Sequence, residues 1–214
     1  MAGHTLSKLI AILALLAASL AAQAQGATAT PAAGATWKYS YSDALYGRQK
    51  QSFTVRADSV AGSSVSDTLA AEGTPGSPAT FDTRAPRFVV RALAGGKTLV
   101  EALAYGAADA APGVSGYPQG AKTFLEWKVV LQPAASEEIK VPAGNFRAQR
   151  IVIEGTRPRD EDPFWWAKEA GRFRYTLWYA PEAQRYVKAR NQSWAMSGAE
   201  YGDELVELLE FRAN

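Results

Sequence analysis

The chain has 214 residues, with 23 lysines and arginines against 21 aspartates and glutamates, one histidine and no cysteine. A formal charge of +2 lacks the concentrated basic face that a nucleic-acid partner requires. Without cysteine there can be no disulfide, thiol nucleophile or lipidated cysteine; with His4 as the one histidine, the rest of the chain cannot build a Ser-His-Asp triad, a Cys-His pair or a histidine zinc site.

The N-terminus reads as a secretory signal peptide. Lys8 precedes an apolar run over residues 9–18, and Ala22-Gln23-Ala24 supplies the small-x-small cleavage pattern. Gln23 and Gln25 close the run early, short of the roughly 20 apolar residues that a membrane span needs. The expected organisation is a signal peptide over 1–24, a disordered leader over 25–35 and one β domain over 36–214, exported to the periplasm or secreted, with no transmembrane segment after cleavage. Cleavage removes one lysine and no acid, so the mature chain is nearly neutral.

From Trp37 onward the pattern has period two. Trp37, Tyr39 and Tyr41 alternate with Lys38, Ser40 and Ser42; Phe53 and Val55 follow. Leu125, Trp127, Val129 and Leu131 form a third alternating set. Phe173, Tyr175, Leu177 and Tyr179 form a fourth, interleaved with Arg172, Arg174, Thr176 and Trp178. Such strands, separated by short turns, predict an antiparallel sheet with few helices. Val141-Pro142-Ala143-Gly144-Asn145-Phe146 predicts one turn and Tyr179-Ala180-Pro181-Glu182-Ala183-Gln184 another. Residues 72–86, 106–120 and 156–171 are expected as loops. The segment from Glu204 to Phe211 is expected as a strand, with Leu205, Glu207, Leu209 and Phe211 on one side.

The motifs that carry chemistry are few. Gly95-Gly96-Lys97-Thr98 lacks the spacing of a phosphate loop and predicts a hairpin turn between 87–93 and 98–105. Arg157-Pro158-Arg159-Asp160-Glu161-Asp162 stands before Phe164-Trp165-Trp166. Acids beside aromatic rings suit a carboxylate hydrolase acting on sugar, but a charge run is more often a solvated face. The rings of Trp165 and Trp166 either plug the core or form a contact surface. Trp178 shares a face with Arg172 and Arg174 that is neither dry nor fully polar, the character expected inside a partly open cavity.

Residues 137–148, with Val141-Pro142-Ala143-Gly144-Asn145-Phe146, together with Trp178-Tyr179-Ala180-Pro181 and Val187-Lys188, resemble a group of uncharacterised exported β-proteins of Gram-negative bacteria. That group shares a VPAG-F turn, a WYAP corner and a VK strand. Its architecture is similar to the half-barrels of periplasmic lipoprotein carriers, and the resemblance implies a fold without bringing a catalytic motif. The expected fold is therefore all-β, a bent antiparallel sheet of about ten strands forming a half-barrel or open barrel. The expected function is non-enzymatic binding of an apolar or amphipathic molecule on an aromatic-lined concave face through Trp165, Trp166, Trp178, Arg172 and Arg174, with no metal or cofactor. Two alternatives are an interaction module for an envelope protein or cell-wall polymer, and a hydrolase using Asp160 or Glu161.

Overall fold

The computed structural model describes residues 30–45, 47–106, 128–157 and 170–214. The expected signal peptide, most of the expected loop at 106–120, and residues 158–169 lie outside these, so Asp160, Glu161, Phe164, Trp165 and Trp166 are not placed.

Nine strands build one open antiparallel sheet: β1 (Thr36–Asp43), β2 (Arg48–Ala61), β3 (Ser64–Ala71), β4 (Ser77–Asp82), β7 (Lys128–Val141), β8 (Gly144–Thr156), β9 (Ala170–Ala180), β10 (Arg185–Ala195) and β11 (Glu200–Arg212). Their order is β4-β3-β2-β1-β11-β10-β9-β8-β7. Two more strands, β5 (Val89–Ala92) and β6 (Thr98–Glu101), pair only with each other. The all-β expectation holds, and the sheet does not close. Among the described residues, no helix is long and apolar enough to cross a membrane.

The sheet is strongly bent. Asp67 on β3 and Arg185 on β10 are four strands apart, about 19 Å across a flat sheet at some 4.8 Å per strand. Their side chains nevertheless approach to 3.6 Å. The backbone N–H of Ala143, at the β7–β8 turn, likewise donates to the Leu208 carbonyl of β11 at 3.0 Å. Curling gathers one face of every long strand around a single core. Trp37, Tyr39, Phe53, Val55, Leu69, Tyr175, Leu177 and Tyr179 all point into it and are buried.

The β5–β6 hairpin fills the inside of that curl. Its Gly95-Gly96 turn forms where the glycines predict it, with both residues at positive φ. Phe88, Leu93, Leu99, Leu103 and Tyr105 bring the hairpin and its flanks into the core. Phe88 meets Phe173 and Tyr175 edge-on, and Tyr105 meets Trp37 and Phe81 in the same way.

Three expectations need correction. Residues 72–86 are not a continuous loop, because β4 occupies Ser77–Asp82 and pairs with β3. Pro78 is tolerated there because β4 is an edge strand, where a missing N–H breaks no ladder. In β11 the buried apolar side chains are Val206 and Leu208, not Leu205 and Leu209. Trp37 pairs with Phe211 but Tyr39 pairs with Leu208, so Leu209 is an extra residue that changes the strand's phase. That bulge lets Phe211 stack on Trp37 while Leu208 stays inside. Finally, residues 32–35 of the expected leader are tied down. Gly34 N–H donates to Ala57, Ala57 N–H donates to Ala35, and Ala35 is fully buried.

One glycine is a packing requirement. Gly155 faces Phe173 across β8 and β9, and a Cβ there would lie 2.0 Å from the ring. Gly155→Ala is expected to cost about 1–3 kcal/mol through overpacking, read as a lower midpoint in thermal unfolding. A midpoint equal to wild type would mean that the Phe173 ring moves aside at no cost.

Candidate functional site

The concentration of charge inside the protein is a cluster of four residues that the sequence reading did not single out. Asp67 and Arg185 come from the sheet, and Arg91 and Glu101 from the hairpin. Each is at most 1 % exposed. Arg91 donates to Asp67 at 2.5 Å and to Glu101 at 3.2 Å, and Arg185 donates to Glu101 at 2.7 Å. Tyr105 donates to Asp67 and Tyr186 to Glu101, at 2.5 and 2.6 Å. Arg91 also donates to the Ser77 carbonyl. The Arg185 guanidinium lies 4.8 Å from the ring centroids of Tyr105 and Tyr186, and 5.7 Å from those of Trp37 and Tyr39.

Two cations and two anions make this cluster neutral, which is how buried charge is tolerated. Burial works against ionising Glu101, but Arg185 and Arg91 overcome it and hold its carboxyl low. At Asp67 burial prevails over the same two arginines and the carboxyl is raised. With no exposed atom to offer a substrate, the cluster acts as a clamp between hairpin and sheet.

Among the described residues, the inner face is taken up by the hairpin and its flanks. Between Phe81, Leu103 and Tyr105 the space amounts to about 10 Å³, roughly that of one water. Nearer one end of the sheet, Glu204 accepts hydrogen bonds from Tyr41 at 3.1 Å and Asn191 at 3.2 Å. Burial pushes its carboxyl up. Asp43, opposite Glu204 in the β1–β11 ladder, meets Lys97 of the hairpin turn at 3.4 Å. Both carboxylates are thus engaged by the fold.

The expected binding residues on β9 lie on the other side of the sheet. Phe173, Tyr175, Leu177 and Tyr179 take the inward positions, so Arg172, Arg174 and Trp178 point outward. The face read as a cavity interior is the outer surface. Trp178 donates through Nε1 to Glu137, and Lys188 Nζ lies 5.6 Å from its ring centroid. Arg174 is held by Glu154 at 2.6 Å. Arg172 differs: its guanidinium lies 4.0 Å from the Trp194 ring centroid, and no described carboxylate pairs with it.

Arg172 and Trp194 line a groove of about 340 Å³ at the ends of β8, β9 and β10. Arg157, Gly171, Ala195 and Met196 complete most of its wall. Its size falls within the range of small-molecule sites. The floor depends on Gly171, where a Cβ would come 2.7 Å from Met196. Residues 158–169, with Trp165 and Trp166, lie outside the described residues. Of the five expected residues, the described structure brings only Arg172 to the groove. Arg157, Trp194 and Met196 were missed because their convergence depends on strand register, with Trp194 opposite Arg172.

No protein-family model matches the chain, and no curated protein does. Among solved structures, a protein of Parabacteroides distasonis ascribed to the lipoproteins is similar over 86% of this chain and 98% of its own, at 11% identity and a TM-score of 0.45. A Bacteroides fragilis protein with a YmcC-like fold matches over 86% and 97%, at 12% identity and a TM-score of 0.44. MucB of Pseudomonas aeruginosa, solved in complex with MucA, matches over 83% of this chain and 50% of its own, at 11% identity and a TM-score of 0.34. Likeness at these levels assigns neither a family nor a function.

Proposed function

We propose that the chain is an exported, non-enzymatic binding protein of the cell envelope, with its binding surface at the rim formed by the ends of β8, β9 and β10. The observation that carries this reading is the groove of about 340 Å³ lined by Arg172 and Trp194, the guanidinium over the indole ring. The inner face is a poor alternative because the protein's own hairpin fills it. Apolar walls with a few polar anchors are what small-ligand sites offer. Native mass spectrometry of the mature protein from the periplasm, followed by solvent extraction, tests the reading. A retained apolar or amphipathic molecule is expected; a bare chain that also takes up no added amphiphile would overturn it.

A second reading is docking to another envelope protein. It is supported by β7, whose Lys128–Val141 backbone ends the sheet with one side unpaired among the described residues. An exposed strand edge is a template for adding a partner's strand.

A further inference from the structure

We infer that the rim groove is an anion-selective site, whose ligand is an amphiphile with a single carboxylate or phosphate head. This rests on the rim being the binding surface and names the chemistry of what it holds. Among the described residues, two lining side chains are cationic, Arg157 and Arg172, and none is acidic.

Arg172 is the head-group anchor. With its guanidinium carbon 4.0 Å from the Trp194 ring centroid, the side chain is restrained by the indole, and a guanidinium resting on a ring face keeps N–H donors at its edge for a ligand. Arg174, two residues along on the same face, is already held by Glu154, as is usual for arginines on this surface. A planar guanidinium takes a carboxylate or phosphate in a two-pronged hydrogen bond, the geometry that gives such pairs their strength. Trp194, Ala195 and Met196 supply the apolar wall, and a thioether adapts its shape to an irregular chain. The groove is near the small end of ligand sites, which favours one acyl chain over a two-tailed lipid.

Calorimetric titration of the mature protein with dodecanoate, dodecyl phosphate, dodecyl maltoside and inorganic phosphate tests the inference, each probe below its micelle concentration. Dodecanoate and dodecyl phosphate are expected to bind at least roughly tenfold more tightly than the uncharged maltoside. Arg172→Met, at an exposed position, should abolish that preference without lowering the unfolding midpoint. Arg56→Met, on β2 and distant from the rim in sheet order, should retain it. Equal binding of dodecanoate and maltoside, or an unchanged preference in Arg172→Met, would overturn anion selectivity while leaving the rim as a binding surface. Inorganic phosphate binding as tightly as dodecyl phosphate would overturn the amphiphile and leave an anion site. Silence from every probe would bring down both the inference and the reading beneath it.

Discussion

Replacing Arg185 with methionine is expected to lower the stability of the protein by about 3–5 kcal/mol, the range for breaking a buried ion pair by removing one partner. The substitution keeps most of the side-chain volume but leaves Asp67 and Glu101 to share Arg91 in a site closed to bulk solvent. It also takes a cation away from four ring faces. Because a domain of this size has only about 5–15 kcal/mol of stability in total, the loss should be plain in urea unfolding. The double variant Arg185→Met/Glu101→Gln separates charge from packing. It leaves one cation, Arg91, facing one anion, Asp67, at 2.5 Å, so it should be more stable than Arg185→Met alone. A double variant weaker by the sum of both single losses would mean that shape at this site matters more than charge balance.

The second large effect is alkaline lability. Tyr39, Tyr105 and Tyr186 are buried, and desolvation raises each hydroxyl well above its ordinary value of about 10. In the unfolded chain these groups lose their protons near pH 10, whereas in the fold they keep them. The folded state then binds more protons than the unfolded state, and stability falls as pH rises. Their contribution is fully present below about pH 10. Above it, each tyrosine removes about 1.4 kcal/mol per pH unit, or about 4 kcal/mol at pH 11 for the three together. Tyrosinate absorbance and circular dichroism followed in one alkaline titration read this directly. The three hydroxyls should ionise only as the fold is lost. Their ionisation in a protein that retains its native spectrum would show that they are open to solvent.

Much of the fold was legible because alternation along a strand is a local property. Trp37, Tyr39 and Tyr41 mark β1, Phe173 to Tyr179 mark β9, and both expected turns form where proline and glycine place them. The edge strand β4 was hidden by Pro75, Gly76 and Pro78, which read as loop until the position of the strand in the sheet is known. In β11 a single bulge at Leu209 reversed the face that the pattern assigned.

The interior clamp left a faint trace. Val65, Asp67, Leu69 and Ala71 alternate as one buried side of β3, so a carboxylate stands in an apolar series. Such a misfit asks for a buried partner, but nothing in the one-dimensional pattern names Arg91 or Arg185, which lie 24 and more than 100 positions away. The rim is harder still. Arg172 shares a face with Trp178 in the sequence pattern, yet its relation to Trp194 follows from the register of β9 against β10. Trp165 and Trp166 remain an expectation from composition and position in the chain.

The most direct test of binding at the rim is residue-by-residue mapping by NMR, with isotope-labelled mature protein titrated with dodecanoate. Shifts confined to Arg157, Gly171, Arg172 and residues 194–196 are expected, with the indole N–H of Trp194 among the largest. Shifts centred instead on Asp67, Glu101 and Tyr105 would mean that the hairpin yields the inner face to ligand, and would contradict binding at the rim.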